Sequence, residues 1–418
     1  MERCVELEKI ISPVTLPYFE DTYFEKKPLL ISRNNESHFR ELLSINSIES
    51  YLKRKDIRYP SIRLVKNGLE LPQTDYLKNI PCGKNTFDRL LDNDSFYNLF
   101  NEGATAVFQG MHRTLSSLGS FCQGIEKYYN FPLQTNIYLT PKSSQGFSAH
   151  YDDHDVFIIQ THGTKIWKVY DSPIHLPTKP FEKSIFTSKI PQIEIELKEG
   201  DSLYIPRGFI HEAVTTEDIS LHITVGLLSY KWSDVIQFLV NDYHKIEGFR
   251  ESFRFNRLDV DFIKKNTEEL VNQLLASADF ANIKNAFKTR FIKKGLTSDN
   301  NRFSDLLKSD KITLSTVLSL RKEINFAISE TSTEAILSFY NKQIKFPKYV
   351  MPTLTAMTTS LHFAIQDLKG NLDNPGKLVL CKKLLKEGFC QRAGRCWCSP
   401  RHRNRSREAR DLLDRLRK

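Results

Sequence analysis

Short apolar stretches alternate with polar turns between residues 132 and 228, and this pattern predicts a β-rich domain. Gly163, Gly200 and Gly208 fall at breaks between the stretches. Many short strands at this spacing favour a sandwich or barrel of the jelly-roll kind. The predicted strands are LQTNIYLT, HDVFIIQT, KIWKVYD, QIEIELKEGD, SLYIP and ISLHITVGLL.

The chain on either side of this region has a different apolar spacing. Residues 1–130 mix short helical and strand signals, whereas from Trp232 to about residue 294 apolar residues recur at helical intervals. After the polar break GLTSDNNRFSD, we predict helices in LSTVLSLRKEINFAI and PGKLVLCKKLLKEGF, with a possible strand in TEAILSFYNKQIKFP between them. The sequence therefore predicts an α+β protein, and its segments are 1–228, 229–300, 301–390 and a tail, 391–418.

Length and composition indicate an ordinary globular protein. The chain has 418 residues, enough for two or three domains, and it is 40% hydrophobic and 26% charged. No apolar run approaches the roughly 18 residues of a membrane span, and the start, MERCVELEKI, has no hydrophobic signal core. Seven scattered cysteines indicate a reducing compartment rather than a disulfide framework. We therefore expect a cytoplasmic protein without a membrane partner.

The net charge of +10 is concentrated in the tail. Residues 391–418 hold nine arginines and one lysine against three acidic residues, so the rest of the chain carries a net charge of only +3. An arginine-rich tail could bind RNA. Zinc is a second interpretation, although the spacing of Cys390, Cys396, Cys398 and His402 matches no common structural site. The interpretation that we favour is a flexible extension.

The stretch SAHYDDHDVF, residues 148–157, concentrates two histidines and three aspartates. If it is a strand, His150, Asp152 and His154 share one face, with neighbouring side chains about 7 Å apart. That distance suits two ligands of one metal ion, and His211, after the turn in GDSLYIPRGFIHEA, is a candidate third ligand. Two histidines and one carboxylate are the usual ligands of non-haem Fe(II) oxygenases. Solvated polar residues on a strand, and a histidine that caps a turn, are the alternatives left open.

Two longer motifs carry a resemblance to a known family. SSQGFSAHYDDHDVFIIQTHGTKIWKVYD and GDSLYIPRGFIHEA resemble the JmjC-type cupin oxygenases, in particular the ribosomal oxygenase subfamily. The upstream segments YFEKKPLLI and TNIYLTP are similar to the same family. The resemblance implies a double-stranded β-helix JmjC domain in 1–228, a helical dimerisation region in 229–300 and a winged-helix-like domain in 301–390. It also implies a homodimer.

The resemblance implies an Fe(II)- and 2-oxoglutarate-dependent dioxygenase that uses O2. The implied iron ligands are His150, Asp152 and His211. 2-Oxoglutarate chelates iron through its keto acid end, which leaves a second, buried carboxylate that needs a cation. Lys165 and Lys168 lie on opposite faces of their predicted strand, and alternation alone does not choose between them. The resemblance implies Lys165.

Further cosubstrate contacts are implied for residues of two other strands. Asn136 and Tyr138 alternate on one face of TNIYLT, and the resemblance directs both into the cosubstrate pocket. Thr224, in LHITVG, is a weaker candidate for the same pocket. We expect structural roles for His162, in a turn, and for His222, within an apolar strand.

Two positions depart from the pattern of the family. The family often has Ser-Thr where this chain has Gly226 and Leu227. The family's contacts on the far side of the pocket therefore do not carry over to this chain, and a different substrate would explain the change. The family usually has an apolar residue at the position of His154. We expect His154 to line the substrate entrance or to be exposed.

The implied reaction is hydroxylation of a protein side chain, commonly an arginine or a histidine of a ribosomal protein. One alternative is hydroxylation of another peptide, such as a natural-product precursor. Another is a non-catalytic cupin that binds a ligand or nucleic acid. Histone demethylation is less favoured because the sequence has no clustered zinc-finger array. Residues 303–390 show no dense Lys/Arg stripe of the kind that reads DNA, so we expect a structural or substrate-docking role there.

Overall fold

The chain divides into two compact units, Met1–Ile283 and Lys284–Lys418, and each has a hydrophobic core of its own. The computed structural model describes residues 3–182, 190–253, 259–294, 302–321, 324–360 and 362–393. The zinc and RNA predictions for the tail therefore fall outside the described residues, apart from Cys390 and residues 391–393. No described helix is both long enough and apolar enough to cross a bilayer.

Helices and strands alternate in the N-terminal part of the first unit, as the mixed apolar spacing predicted. The helices are α1 (Val5–Ile11), α2 (Leu16–Thr22), α3 (Ile45–Leu52), α4 (Asn93–Asn101) and α5 (Ser116–Tyr129). The strands are β1 (Leu29–Ile31), β2 (Ile62–Lys66), β3 (Leu69–Glu70), β4 (Leu77–Cys82), β5 (Asn85–Leu91) and β6 (Thr105–Gln109). Ser44 fixes the start of α3, because its hydroxyl accepts a hydrogen bond from the Ser47 amide.

The predicted jelly roll is confirmed, and it consists of two antiparallel sheets. Its strands are β7 (Leu133–Thr140), β8 (Asp155–His162), β9 (Lys165–Val169), β10 (Ile193–Leu197), β11 (Ser202–Ile205), β12 (His211–Val214) and β13 (Ser220–Leu227). The larger sheet has the order β1-β11-β8-β13-β7-β6-β2-β3, and the smaller one β10-β9-β12. The sequence did not predict β12, because HEAV lacks the apolar run that marks the equally short β11. Pairing with β9 makes it a strand.

Alternation along the strands separates a core face from a cavity face. In β13, Ile223 and Val225 pack into the main core together with side chains of the N-terminal helices. His222 and Thr224, which alternate with these two residues along the strand, face the space between the two sheets. A second apolar cluster fills part of that space with Val156, Ile158, Trp167, Val169, Leu197, Leu203 and Ile205. The remaining space is the cavity described below.

In the described part of the chain, three α-helices follow the barrel, as the helical spacing predicted. They are α6 (Trp232–Val240), α7 (Val260–Ala276) and α8 (Phe280–Lys294). Apolar side chains on α6 and α7 remain exposed, and Trp232 and Val260 are 83% and 79% exposed.

The second unit differs from the sequence-based expectation in one region. Its elements are α9 (Arg302–Lys308), β14 (Val317–Leu320), β15 (Phe326–Glu330), β16 (Glu334–Phe339), β17 (Lys342–Pro347), α10 (Met351–Thr358), β18 (Phe363–Ala364), α11 (Asn374–Glu387) and β19 (Cys390–Arg392). The helix predicted in LSTVLSLRKEINFAI is wrong: the segment forms β14 and β15, which belong to different three-stranded sheets. Pairing of β14 with β18 and β19 overrides its helical apolar spacing. The predicted strand TEAILSFYNKQIKFP is a hairpin, with Tyr340 at positive φ in its turn.

Candidate active site

His150 and His211 oppose each other in an isolated antiparallel bridge at one end of the cavity. The His150 amide donates to the His211 carbonyl (3.1 Å), and the His211 amide donates to the His150 carbonyl (2.8 Å). The Asp152 carbonyl accepts from the Gly208 amide at 3.1 Å. Gly208 has φ +92°, and a Cβ there would lie 2.5 Å from the Ile174 carbonyl oxygen, so the turn before His211 requires glycine. The backbone thus brings two distant segments into one site.

Both imidazoles direct the same nitrogen at the centre of the site. His150 Nδ1 lies 2.7 Å from the Ser148 carbonyl oxygen, and His211 Nδ1 lies 3.0 Å from the Phe209 carbonyl oxygen. A carbonyl only accepts, so Nδ1 carries the proton in each ring and Nε2 is left with its lone pair. Among the described residues, His150, Asp152 and His211 form the group able to hold a metal ion, with ligand atoms within 4.8 Å of one another.

The protonation state of His211 favours metal binding. Burial, and then the charge of His150, lower the pKa of His211 to about 4, although Asp152 acts in the opposite direction. The imidazole is therefore neutral at neutral pH, which is the form that ligates a metal. The three predicted ligands are brought together, and their donor set fits a ferrous ion.

Lys165 lies inside the barrel and is 4% exposed. Its Nζ donates to the Thr140 hydroxyl at 3.0 Å, and among the described residues no carboxylate lies within ion-pair distance of it. Burial lowers the pKa of Lys165 to about 7. Lys168 is on the outer face and pairs with Glu194 at 3.5 Å. The structure thus separates the two lysines, and a buried cation without a counter-ion fits an anionic ligand.

The cavity between the metal-binding group and Lys165 is lined by Tyr138 and Thr224, as expected, and also by His222. Asn136 lies opposite Thr224 in the β7–β13 ladder but is not part of the cavity wall. Burial, and then the charge of Asp152, raise the pKa of Tyr138 to about 12, so its hydroxyl remains protonated and can donate.

His222 is part of the cavity wall, a position that the sequence pattern did not predict. It lies opposite Tyr138 in the ladder, and the two rings stack with centroids 4.8 Å apart. Burial, and then the charge of Lys165, hold the pKa of His222 well below its usual value, so the ring is neutral. The signal that could have placed His222 in the cavity was its distance of two residues from Thr224, because residues two apart in a strand share a face.

His154 is near the metal-binding group but not part of it. Its Nδ1 lies 3.1 Å from the Asp153 carboxylate, and its side chain is 26% exposed. His162 is half exposed at the end of β8 and lies 3.4 Å from Glu199.

Comparisons with known proteins agree with this architecture. Residues 112–235 match the family profile of the JmjC domain. The chain is 32% identical over 243 residues to the bifunctional lysine-specific demethylase and histidyl-hydroxylase NO66 of Dictyostelium discoideum, which covers 56% of this chain and 45% of that protein. It is 29% identical over 247 residues to Ribosomal oxygenase 1 of Gallus gallus, covering 57% of this chain and 39% of that protein. The chain thus spans less than half the length of these two relatives.

A solved structure extends the similarity beyond the barrel. The ribosomal oxygenase YcfD of Escherichia coli, in complex with cobalt and 2-oxoglutarate, matches 91% of this chain and 99% of its own chain. The TM-score is 0.54 and the sequence identity is 17%, so this similarity concerns the fold alone. The fold is a JmjC/cupin jelly roll with additional helical regions.

Proposed function

We propose that this chain, which contains a JmjC domain, is an Fe(II)- and 2-oxoglutarate-dependent dioxygenase of the ribosomal oxygenase type. Its proposed substrate is an arginine or histidine side chain of a ribosomal protein. One observation carries the proposal: the triad of His150, Asp152 and His211 shares a cavity with Lys165, a buried cation without a carboxylate partner among the described residues. The sequence relatives and YcfD support the same reaction class.

The triad suits Fe(II) because three protein ligands leave three coordination positions open. Fe(II), bound there with 2-oxoglutarate and O2, would supply the oxidation that couples release of CO2 and succinate to insertion of one oxygen atom into a C–H bond. The protein's contribution is geometric. The bonds from Nδ1 to the Ser148 and Phe209 carbonyls orient both imidazoles before metal arrives.

Lys165 and Tyr138 are the proposed partners of the cosubstrate. The ammonium group of Lys165 would bind the far carboxylate, and this carboxylate would raise the lysine pKa back towards its ordinary value. The protonated hydroxyl of Tyr138 would donate a second hydrogen bond. Asn136 lies on the same strand, β7, and Thr224 lies opposite Asn136 on β13. Apolar neighbours such as Trp167 exclude water from this part of the barrel, which strengthens each polar contact.

We also propose that the protein is a homodimer that uses the helices after the barrel. Large apolar side chains there are exposed in the single chain, including Trp232, Ile236, Val260 and Phe262. Exposed apolar patches of this kind mark interaction sites. For the second unit we keep the proposal of a winged-helix-like domain that docks substrate, and for the compartment we keep the cytoplasm. The described cysteines are free thiols, in keeping with a reducing environment.

The proposal is tested by Fe(II)-dependent release of succinate from 2-oxoglutarate. Peptides that span the ribosomal proteins should stimulate release, and the stimulating peptide should gain the mass of one oxygen atom. Asp152→Ala should abolish both effects. Stimulation only by unrelated peptides, for example precursors of natural products, would replace the ribosomal substrate with another peptide. Absence of succinate in the presence of Fe(II) would leave a non-catalytic cupin.

A further inference from the structure

We propose that His154 is a specificity-determining residue of the substrate entrance, held over Gly226, where it accepts a hydrogen bond from an N–H group of the substrate side chain. The inference rests on the proposed function and extends it to the recognition of the target residue. It concerns a contact that no sequence motif describes. The two residues are 72 positions apart and belong to different segments.

The position of the His154 ring depends on the absence of a side chain at residue 226. A Cβ on Gly226 would lie 2.6 Å from His154 Cδ2 and 2.7 Å from His154 Nε2. Carbon atoms do not approach that closely, so any other residue at 226 would force the ring out of this place. The next nearest atom, the Gln134 carbonyl oxygen, is 3.6 Å away. His154 therefore fills a niche that glycine leaves open.

This niche lies at the metal end of the barrel. Gly226 is two residues beyond Thr224 in β13, so both face the interior, and it pairs with Val156 at the start of β8. His154 lies just before that start, two residues after Asp152. Asp152 and Val156, on either side of His154 in the chain, line the cavity, so we place the substrate entrance at this part of the rim.

The Asp153 carboxylate decides what the ring can offer a substrate. Its Oδ1 lies 3.1 Å from His154 Nδ1, so Nδ1 carries a proton, and in the neutral imidazole Nε2 has the lone pair. Among the described residues, no hydrogen-bond donor reaches that Nε2. Lys231 supports the loop from outside by donating to the Asp153 carbonyl at 3.3 Å. A lone pair held at the entrance favours guanidinium or imidazole N–H over an apolar side chain.

The test uses peptide binding rather than turnover, so that it does not depend on the reaction. The probes are three capped pentapeptides that differ only at the centre of Ala-Ala-X-Ala-Ala, where X is arginine, histidine or norleucine. Dissociation constants are measured by NMR titration of the full chain loaded with Mn(II) and 2-oxoglutarate. The wild type should prefer the arginine or histidine peptide to the norleucine peptide by about five- to tenfold, the contribution of one hydrogen bond.

His154→Ala should remove this preference, and Gly226→Ala should remove it as well, because the new methyl group displaces the ring. In the double variant, Gly226→Ala should add nothing further, since the niche is then empty. His162→Ala is the matched control and should keep the preference, because it removes a half-exposed histidine at the other end of β8, away from His154.

Three results would overturn the proposal: no preference in the wild type, an unchanged preference in His154→Ala, or equal losses in His162→Ala. The proposed function is judged separately, by succinate release from the Fe(II)-loaded wild type. A protein that prefers the N–H peptides but releases no succinate would contradict the oxygenase alone. A protein that releases succinate without the preference would contradict the role of His154 alone.

Discussion

His150 and His211 exchange two backbone hydrogen bonds, of 3.1 and 2.8 Å, and their rings lie 4.7 Å apart. The two ligands are therefore fixed by strand pairing rather than by side-chain packing alone. Asp152 is tied to the same framework through the Gly208 amide. Because the backbone holds these ligands in place, substitutions at the site should change metal or cosubstrate binding, whereas substitutions of residues outside it should not.

Asp152→Ala should lower Fe(II) affinity and succinate release by at least about 100-fold, because it removes the only carboxylate of the described triad. Metal affinity is measured by titration and succinate by mass spectrometry. Asp218→Ala, in the exposed loop before β13, is the matched control and should match the wild type in both assays. Equal losses in the two variants would indicate general damage to the fold.

Lys165→Met should raise the KM for 2-oxoglutarate by about 10- to 100-fold, because a hydrogen bond to a charged group contributes about 1.5–3 kcal/mol. Lys168→Met removes the same charge from the outer face of the same strand, where it pairs with Glu194, and should leave KM unchanged. The measurement is succinate release as a function of 2-oxoglutarate concentration. A larger effect in Lys168→Met would place the cosubstrate elsewhere.

Lys165→Met should also stabilise the protein in the absence of 2-oxoglutarate, and this gain in unfolding free energy should depend on pH. Burial lowers the pKa of Lys165 to about 7 in the fold, against 10.5 as its ordinary value. The unfolded chain therefore holds this proton more tightly, and the penalty is complete below pH 7 and is relieved between pH 7 and 10.5. Lys165→Met should gain a few kcal/mol below pH 7.

Urea denaturation at pH 6, 8 and 10 measures this gain, with Lys168→Met as the control. The advantage of Lys165→Met over the wild type should shrink as pH rises. A constant difference across the three pH values would show that packing, not charge, is responsible.

Gly208→Ala should weaken metal binding, because the residue has φ +92° and its new Cβ would meet the Ile174 carbonyl at 2.5 Å. Gly83→Ala offers a matched control, since Gly83 also has positive φ (+60°) but has no atom within 4 Å of the new Cβ. Both should lose about 1 kcal/mol of unfolding free energy through backbone strain, and Gly208→Ala should lose more because its Cβ also meets the Ile174 carbonyl. Only Gly208→Ala should also lower Fe(II) affinity. Equal Fe(II) affinities in Gly208→Ala and Gly83→Ala would show that the Gly208 turn does not position the metal ligands.

Trp232→Lys should shift the protein from dimer to monomer, because it places a charge in the apolar surface of α6 that we propose as the interface. Sedimentation velocity at several protein concentrations measures the shift. Leu69→Lys alters an apolar residue that is 67% exposed in the N-terminal part of the unit, and it should leave the dimer intact. A wild type that is monomeric at all concentrations would refute the dimer.

Local patterns in the sequence were sufficient for most strands of the barrel and for His150 and Asp152 as candidate ligands. β7 matches the predicted LQTNIYLT, a β-branched and aromatic segment bounded by Pro132 and Pro141. The two-residue spacing of His150 and Asp152 was read on the premise of a strand from residue 148, which is wrong: β8 begins only at Asp155, and His150 forms an isolated bridge. The spacing nevertheless identified His150 and Asp152 as candidates. Their pairing with His211, 59 positions beyond Asp152, required the resemblance to a family.

Tertiary structure decided what alternation could not. Lys165 and Lys168 are equivalent to a pattern of period two, and only the position of β9 between β10 and β12 shows which face is inside. His222 had to be seen against Tyr138, and His154 against Gly226, because side-chain contacts across strands leave no trace in either segment. The segment that forms β14 and β15 was misread as a helix, since its strand pairs lie elsewhere in the chain. Local periodicity can be read from consecutive residues. Burial, the environment of a charged group and strand register are set only when distant segments pack together.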